Sequence, residues 1–181
     1  MPLVQCDDIV TPRLTLIPIT PDALQSEQRG DHRLGELIQC SVPLNWPPVD
    51  WEPHVLATLL TQFELDPEQV GWHRYVALPN SNGSRILIGS MGAFWRAASP
   101  RECEIGYTIL PPHEGQGLAT EGTQTLIEYL RSDRHGGPRL TSVFAHTFLR
   151  LTASIRVMEK CGLTYEGEGE EGGTVRYRLV F

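Results

Sequence analysis

Gly115 and Gly117 sit between two unlike segments. Ahead of them, Ile105-Gly106-Tyr107-Thr108-Ile109-Leu110 is an apolar, β-rich run that Pro111 and Pro112 stop. Behind them, Leu118 to Arg131 has a helical pattern, with Leu118, Leu126, Ile127 and Leu130 on one side. Strand, Gly-Gln-Gly turn and helix in that order make a device for holding phosphates. The N–H groups of a helix's first turn lack intrahelical partners, and the helix dipole favours negative charge beside them. Glycine lets the backbone approach a ligand closely, because no Cβ intervenes. The turn is not a dinucleotide fingerprint, since Thr120 stands where a third glycine belongs and a meander precedes it. Nor is it a P-loop, which needs a Gly-Lys-Ser/Thr ending.

Other chemistries find little support. Cys6, Cys40, Cys103 and Cys161 have no CxxC spacing, and the 6 histidines are scattered, so no metal is expected. Free thiols fit a reducing cytosol, and Cys161 reads as core. A net charge of −7 disfavours nucleic acid as a partner but suits a cationic acceptor. No apolar run approaches the ~20 residues of a membrane span, and Met1 to Arg13 lacks the pattern of a signal peptide. A cytoplasmic protein of one domain, residues 1–181, is expected.

The elements that must position the turn follow from pattern. Arg13 to Pro18 reads as a first strand after Thr11-Pro12. Pro21-Asp22 opens a helix through Leu34, Leu37 and Ile38, with Gly30 as a break point. Pro43 to Pro48 is a non-helical turn, and Glu52 to Leu65 is a helix. A meander follows: Trp72–Leu78, Arg85–Phe94 and Glu102–Leu110, with turns at 79–83 and 97–100. Gly89 and Gly92 mark a bulge or close approach in its second strand. Beyond the turn and helix, Gly136-Gly137-Pro138 ends the connection, and Leu140–Thr147 is a strand. This predicts a right-handed βαβ crossover. A helix from Thr152 to Cys161, with Thr152 as its cap and Gly162 ending it, leads to a hairpin of Leu163–Glu166 and Thr174–Phe181. The fold class is α/β: one mixed, mostly antiparallel sheet, a central βαβ unit with splayed parallel strands, and about four helices.

This order of elements resembles the GNAT superfamily of N-acetyltransferases, and within it the RimJ/RimL branch that acetylates ribosomal-protein N-termini. The resemblance rests on Thr11-Pro12-Arg13-Leu14-Thr15-Leu16, Glu104-Ile105-Gly106-Tyr107, Gly115-Gln116-Gly117-Leu118-Ala119-Thr120-Glu121, and Ala153-Ser154-Ile155-Arg156 through Gly162-Leu163. It covers nearly the whole chain. It implies acetyl-CoA as cosubstrate, with its pyrophosphate on Gly115, Gln116, Gly117, Leu118, Ala119 and Thr120. The pantetheine arm would run along Tyr107, Thr108 and Ile109 like an added strand. Ser154 would lie near the thiol.

The resemblance also implies direct attack of a primary amine on the acetyl carbonyl, with an acceptor that is a peptide N-terminus or a small amine. Glu104 is the first candidate for the base, His146 the second, and Glu121 a poorer one that pairs locally. Three positions depart from the family pattern, the first being Glu114, where the phosphate motif often begins with Arg or Gln. Leu151 stands where an Asn is common, and Met158 stands where many relatives carry a Tyr general acid. Protonation of the leaving thiolate then falls to Ser154, another residue or water. Trp46, Trp51 and Trp95 either wall the acceptor site or fill the core. The Glu168, Glu170 and Glu171 loop is either solvated or attracts a basic peptide. A detoxifying acetyltransferase for an antibiotic or polyamine, and a catalytically degenerate acyl-CoA sensor, are the competing readings. Homodimers are common in the branch.

Overall fold

The computed structural model describes residues 6–49, 51, 53–80, 82–95, 99, 101–132 and 139–181. The strands are β1 (Ile9–Val10), β2 (Thr15–Pro18), β3 (His73–Pro79), β4 (Arg85–Trp95), β5 (Glu102–Ile109), β6 (Ser142–Phe148), β7 (Thr164–Glu168) and β8 (Thr174–Val180). The helices are α1 (Pro21–Arg29), α2 (Leu34–Ile38), α3 (Pro53–Leu65), α4 (Leu118–Arg131) and α5 (Thr152–Lys160). One mixed sheet holds the strands in the order β1-β2-β3-β4-β5-β6-β8-β7. The pairing of β5 with β6, across α4, is parallel, and the other pairings between these strands are antiparallel.

Helices cover both faces. On the back, α4 and α5 bury Leu118, Leu126, Leu130 and Met158 against Met91, Cys103, Ile105, Val143 and Ala145. On the front, α1, α2 and α3 bury Leu24, Leu34, Ile38, Leu59 and Phe63 against Tyr75, Ala77 and Leu87. Strand alternation sets which side chains face which layer. In β5, Cys103, Ile105 and Ile109 join the back core, so Glu104, Gly106 and Thr108 face front.

The break expected at Gly30 is present, because Gly30 takes a left-handed conformation and its N–H caps α1 on the Glu27 and Ser26 carbonyls. Other expectations are corrected. Among the described residues there are five α-helices, where about four were expected. A short β1 precedes the expected first strand. Leu151, not Thr152, occupies the N-cap of α5, and no side chain caps it. The stretch 136–138, and all but residue 99 of the turn at 97–100, lie outside the described residues.

The close approach expected at Gly89 and Gly92 is present. A Cβ on Gly89 would collide with the Thr108 backbone carbonyl, and one on Gly92 with the His73 ring. The register also shifts at Val76/Ala77, where Ile88 of β4 is the extra residue. Replacing Gly89 with Ala forces β4 and β5 apart beside Thr108. Chemical denaturation of Gly89→Ala is expected to show a loss of about 1–3 kcal/mol.

Candidate active site

β5 and β6 pair only at Glu102↔Ser142, Cys103↔Val143 and Glu104↔Phe144. Past that point each strand follows its other neighbour. β5 stays paired with β4 from Cys103 to Ile109, and β6 with β8 from Ser142 to Phe148. The two strands therefore part like a fork, and among the described residues the inner edge of residues 105–109 has no strand beside it. Backbone N–H and C=O groups on such an edge are free to pair with an extended ligand.

The glycine turn stands beyond the open end of the fork. Gly115 and Gly117 have φ of 72° and 77°, a region costly for residues with a Cβ. Gly117 is the N-cap of α4, and no side chain caps that helix. The first-turn N–H groups of Leu118, Ala119 and Thr120 are thus left for an anion. Arg13 holds the turn from the side. Its Nη1 donates to the Gln116 carbonyl at 2.9 Å, and its Nε meets Glu121 Oε2 at 2.6 Å. Glu121 Oε1 also accepts from the Thr11 hydroxyl at 2.5 Å and the Arg13 backbone N–H at 2.9 Å. Glu121, the poorer base candidate, is thus a brace between the start of β2 and the first turn of α4. These hydrogen bonds and the Arg13 charge hold its carboxyl below the usual range against the upward push of desolvation. The sequence reading used Thr11 and Arg13 only as a strand signature; their bracing role needs the fold.

At the closed end of the fork, Glu104 and His146 meet. Glu104 Oε1 lies 2.9 Å from His146 Nδ1. With Nδ1–H donating to the carboxylate, Nε2 keeps the lone pair. That Nε2 is buried and has no hydrogen-bond partner among the described residues. The β7–β8 connection covers it, with Gly169 close to the imidazole. The Glu104 side chain is more open, at 24% exposure against 14% for His146. Beside it, a Cβ on Gly106 would meet nothing within 4 Å. The carboxylate therefore borders open space, with the imidazole behind it.

On the back side, the Tyr107 hydroxyl donates to the Ser154 carbonyl at 2.9 Å and sits 3.1 Å from its Oγ. This contact ties β5 to the first turn of α5. Burial pushes the Tyr107 phenol up to about 12. Met158, one turn further along α5, is buried in the core at 1% exposure. Cys161 is buried too, as expected. Trp46 and Trp51 lie on the front layer, while the Trp95 side chain is outside the described residues.

One front-face residue escaped the sequence reading. His73 of β3 is 2% exposed, stacks edge-on against Phe94 at 4.7 Å, and leans over Gly92. Burial pulls its imidazole down to about 3, so it is neutral. The pair of thin glycines at 89 and 92 was the available signal, since something bulky must occupy the space they leave.

Comparison with known proteins agrees with this architecture. A family model described as an acetyltransferase (GNAT) domain matches residues 13–164. The chain belongs to the GNAT acetyltransferase family. No curated protein matches it. Among solved structures, an acetyltransferase from Agrobacterium tumefaciens is 20% identical over 98% of this chain and 96% of its own, with a TM-score of 0.63. RimL, a ribosomal L7/L12 α-N-protein acetyltransferase solved with coenzyme A, is 16% identical over 97% and 98%, at 0.62. A chimera of Vibrio cholerae spermidine N-acetyltransferase with hSSAT is 18% identical over 92% and 96%, at 0.56. At these identities the likeness concerns the fold.

Acetyl-CoA is the cosubstrate of GNAT enzymes, and the residues present fit it. The turn offers uncapped N–H groups, Cβ positions at Gly106 and Gly115 are open, and the fork has a free strand edge. Removing the Arg13 brace with Arg13→Ala should weaken acetyl-CoA binding about tenfold, roughly 1.4 kcal/mol by calorimetry, without unfolding the chain. His73 gives a pH signature. Its folded-state value lies below the ~6.5 of an unfolded histidine, so its contribution is complete above that pH and is lost as pH falls toward 3. Denaturation between pH 7 and 4 should show a shallower loss of stability in His73→Gln than in the wild type.

Proposed function

We propose that this protein transfers the acetyl group of acetyl-CoA to a primary amine, with Glu104 as the general base. The Glu104–His146 pair at the closed end of the fork carries this reading. In it the turn at Gly115, Gln116, Gly117, Leu118, Ala119 and Thr120 holds the pyrophosphate. The inner edge at Tyr107, Thr108 and Ile109 holds the pantetheine arm. The thioester then lies in the fork, and the amine approaches from the front, where Glu104 and the space beside Gly106 lie.

Each residue has a distinct task. Glu104 accepts the amine's proton, directly or through one water. His146 positions the carboxylate from behind, because its own Nε2 is enclosed. An α-amine with a pKa near ~8 is partly neutral at pH 7, so a carboxylate base is adequate. On the far side, the Tyr107 hydroxyl and Ser154 Oγ form a hydrogen-bonded pair suited to return a proton to the departing thiolate. Met158 has no proton to give, and its burial in the core removes it from the reaction. A paired carboxylate and imidazole beside open space favour an enzyme over an acyl-CoA sensor.

The RimJ/RimL-like segments support a peptide N-terminus as the acceptor, as for RimL. Thiol release from acetyl-CoA with a panel of short peptides and small amines tests the reading. Binding of acetyl-CoA with no turnover across the panel would overturn it in favour of a sensor. Glu104→Gln should lower kcat about 100-fold near pH 7. That loss should shrink as pH rises past the amine's own pKa, because free amine then needs no base. A loss that stays constant with pH would remove Glu104 from the role.

A further inference from the structure

Glu27 differs from the carboxylates that pair with an arginine. Asp8, Asp31, Glu102, Glu121 and Glu166 each pair with an arginine. Glu27, on the inner side of α1, has only neutral partners among the described residues. Its Oε2 accepts from Trp46 Nε1 at 2.9 Å and Trp51 Nε1 at 3.0 Å. Its Oε1 bonds the Tyr75 hydroxyl. An indole N–H can only donate, so both tryptophans aim their donors at one carboxylate oxygen. Burial pushes the Glu27 carboxyl up, against the hydrogen bonds of Tyr75, Trp46 and Trp51 that pull it down. A half-buried carboxylate without a countercharge is a costly arrangement in a folded chain.

The three aromatic rings converge on this carboxylate. Their centroids are 5.9, 6.3 and 6.5 Å apart. The cluster opens on a cavity of 690 Å³, walled also by His32, Val42 and Leu44. Leu44 is fully exposed and Val42 37% exposed at its rim. Aromatic faces, an unneutralised carboxylate and an apolar rim are the complement of an organic cation: the rings supply cation–π attraction and the carboxylate the charge. An anion would meet repulsion here, and a neutral apolar group would leave the charge uncompensated.

The cluster shares a sheet face with the fork. Tyr75 lies opposite Ser90, and Ser90 opposite Thr108 of β5. Two strand spacings put Tyr75 roughly 10 Å from Thr108, and Glu104 lies further along the same strand. We propose that Glu27, Trp46 and Trp51, which line the cavity, form a subsite for a second, non-reacting positive charge on the amine acceptor, with the fully buried Tyr75 holding the carboxylate from beneath. The acceptor is then an extended, multiply cationic amine, with one nitrogen at Glu104 and another group at Glu27. This rests on the acetyl-transfer reading for the word acceptor; the cation site itself stands on the cluster alone.

Choline and its neutral isostere 3,3-dimethylbutan-1-ol test the site, with tryptophan fluorescence as the readout. Choline should quench saturably in the millimolar range or below, at least tenfold tighter than the alcohol. Glu27→Gln should weaken choline at least tenfold. Its melting temperature should stay close to that of the wild type, because the amide oxygen still accepts from both indoles. Equal binding of choline and the alcohol, or no saturable signal with choline, would overturn the site. With whichever amine is turned over, choline should raise the KM for that amine and leave kcat unchanged; a fall in kcat alone would separate the site from the acceptor. Choline binding without turnover of any amine would overturn acetyl transfer and leave the cation site standing. Turnover with no choline binding would do the reverse.

Discussion

The parting of β5 from β6 is the constraint on which the rest of the site depends. Two parallel strands that begin paired would ordinarily continue so. Here three residue pairs form and then stop, as β5 continues beside β4 and β6 beside β8. The inner edge of β5 is left with backbone groups that a buried sheet would have to satisfy. Such an edge is free to pair with an extended ligand. The Tyr107–Ser154 contact crosses behind the opening, and the Glu104–His146 contact closes its base. Both join elements on opposite sides of the fork, so they set its width.

The sheet also divides the labour. Its back layer, α4 and α5, carries the glycine turn and the Tyr107–Ser154 pair. Its front layer, α1 to α3, carries the Glu27 cluster and borders Glu104. Alternation along β5 makes this division possible, since Tyr107 and Glu104 differ by an odd number of residues and so face opposite ways. The brace from Arg13 and Thr11 to Glu121 links the start of the chain to the turn, so loop geometry depends on the correct docking of β2. A turn fixed in this way can present its N–H groups without reorganising when an anion arrives.

How much was legible follows from how local each signal was. The helix Leu118–Arg131 was read with its bounds because glycine, periodicity and a terminal arginine mark it within one stretch. The break at Gly30 was readable for the same reason. By contrast, Glu104 and His146 read as rival bases, since nothing in a sequence tells that residues 42 apart will touch. The structure makes them one hydrogen-bonded pair, with the carboxylate the more exposed member. Glu121 read as a poorer base, and its true partners are more than 100 positions earlier. Trp46 and Trp51 were visible only as aromatic residues of open purpose. Glu27, which accepts hydrogen bonds from both, lies about 20 positions earlier on α1.

By itself the sequence determined the class of fold, the family, and the strand, glycine turn and helix built around Gly115 and Gly117. These rest on periodicity, glycines and short ordered motifs, all of which act over a few residues. Tertiary structure alone decided the fork, the Glu104–His146 pair, the brace on the turn and the uncompensated carboxylate of Glu27. Each of those is a contact between segments far apart in the chain. Its existence depends on strand register and helix docking, which no local preference encodes.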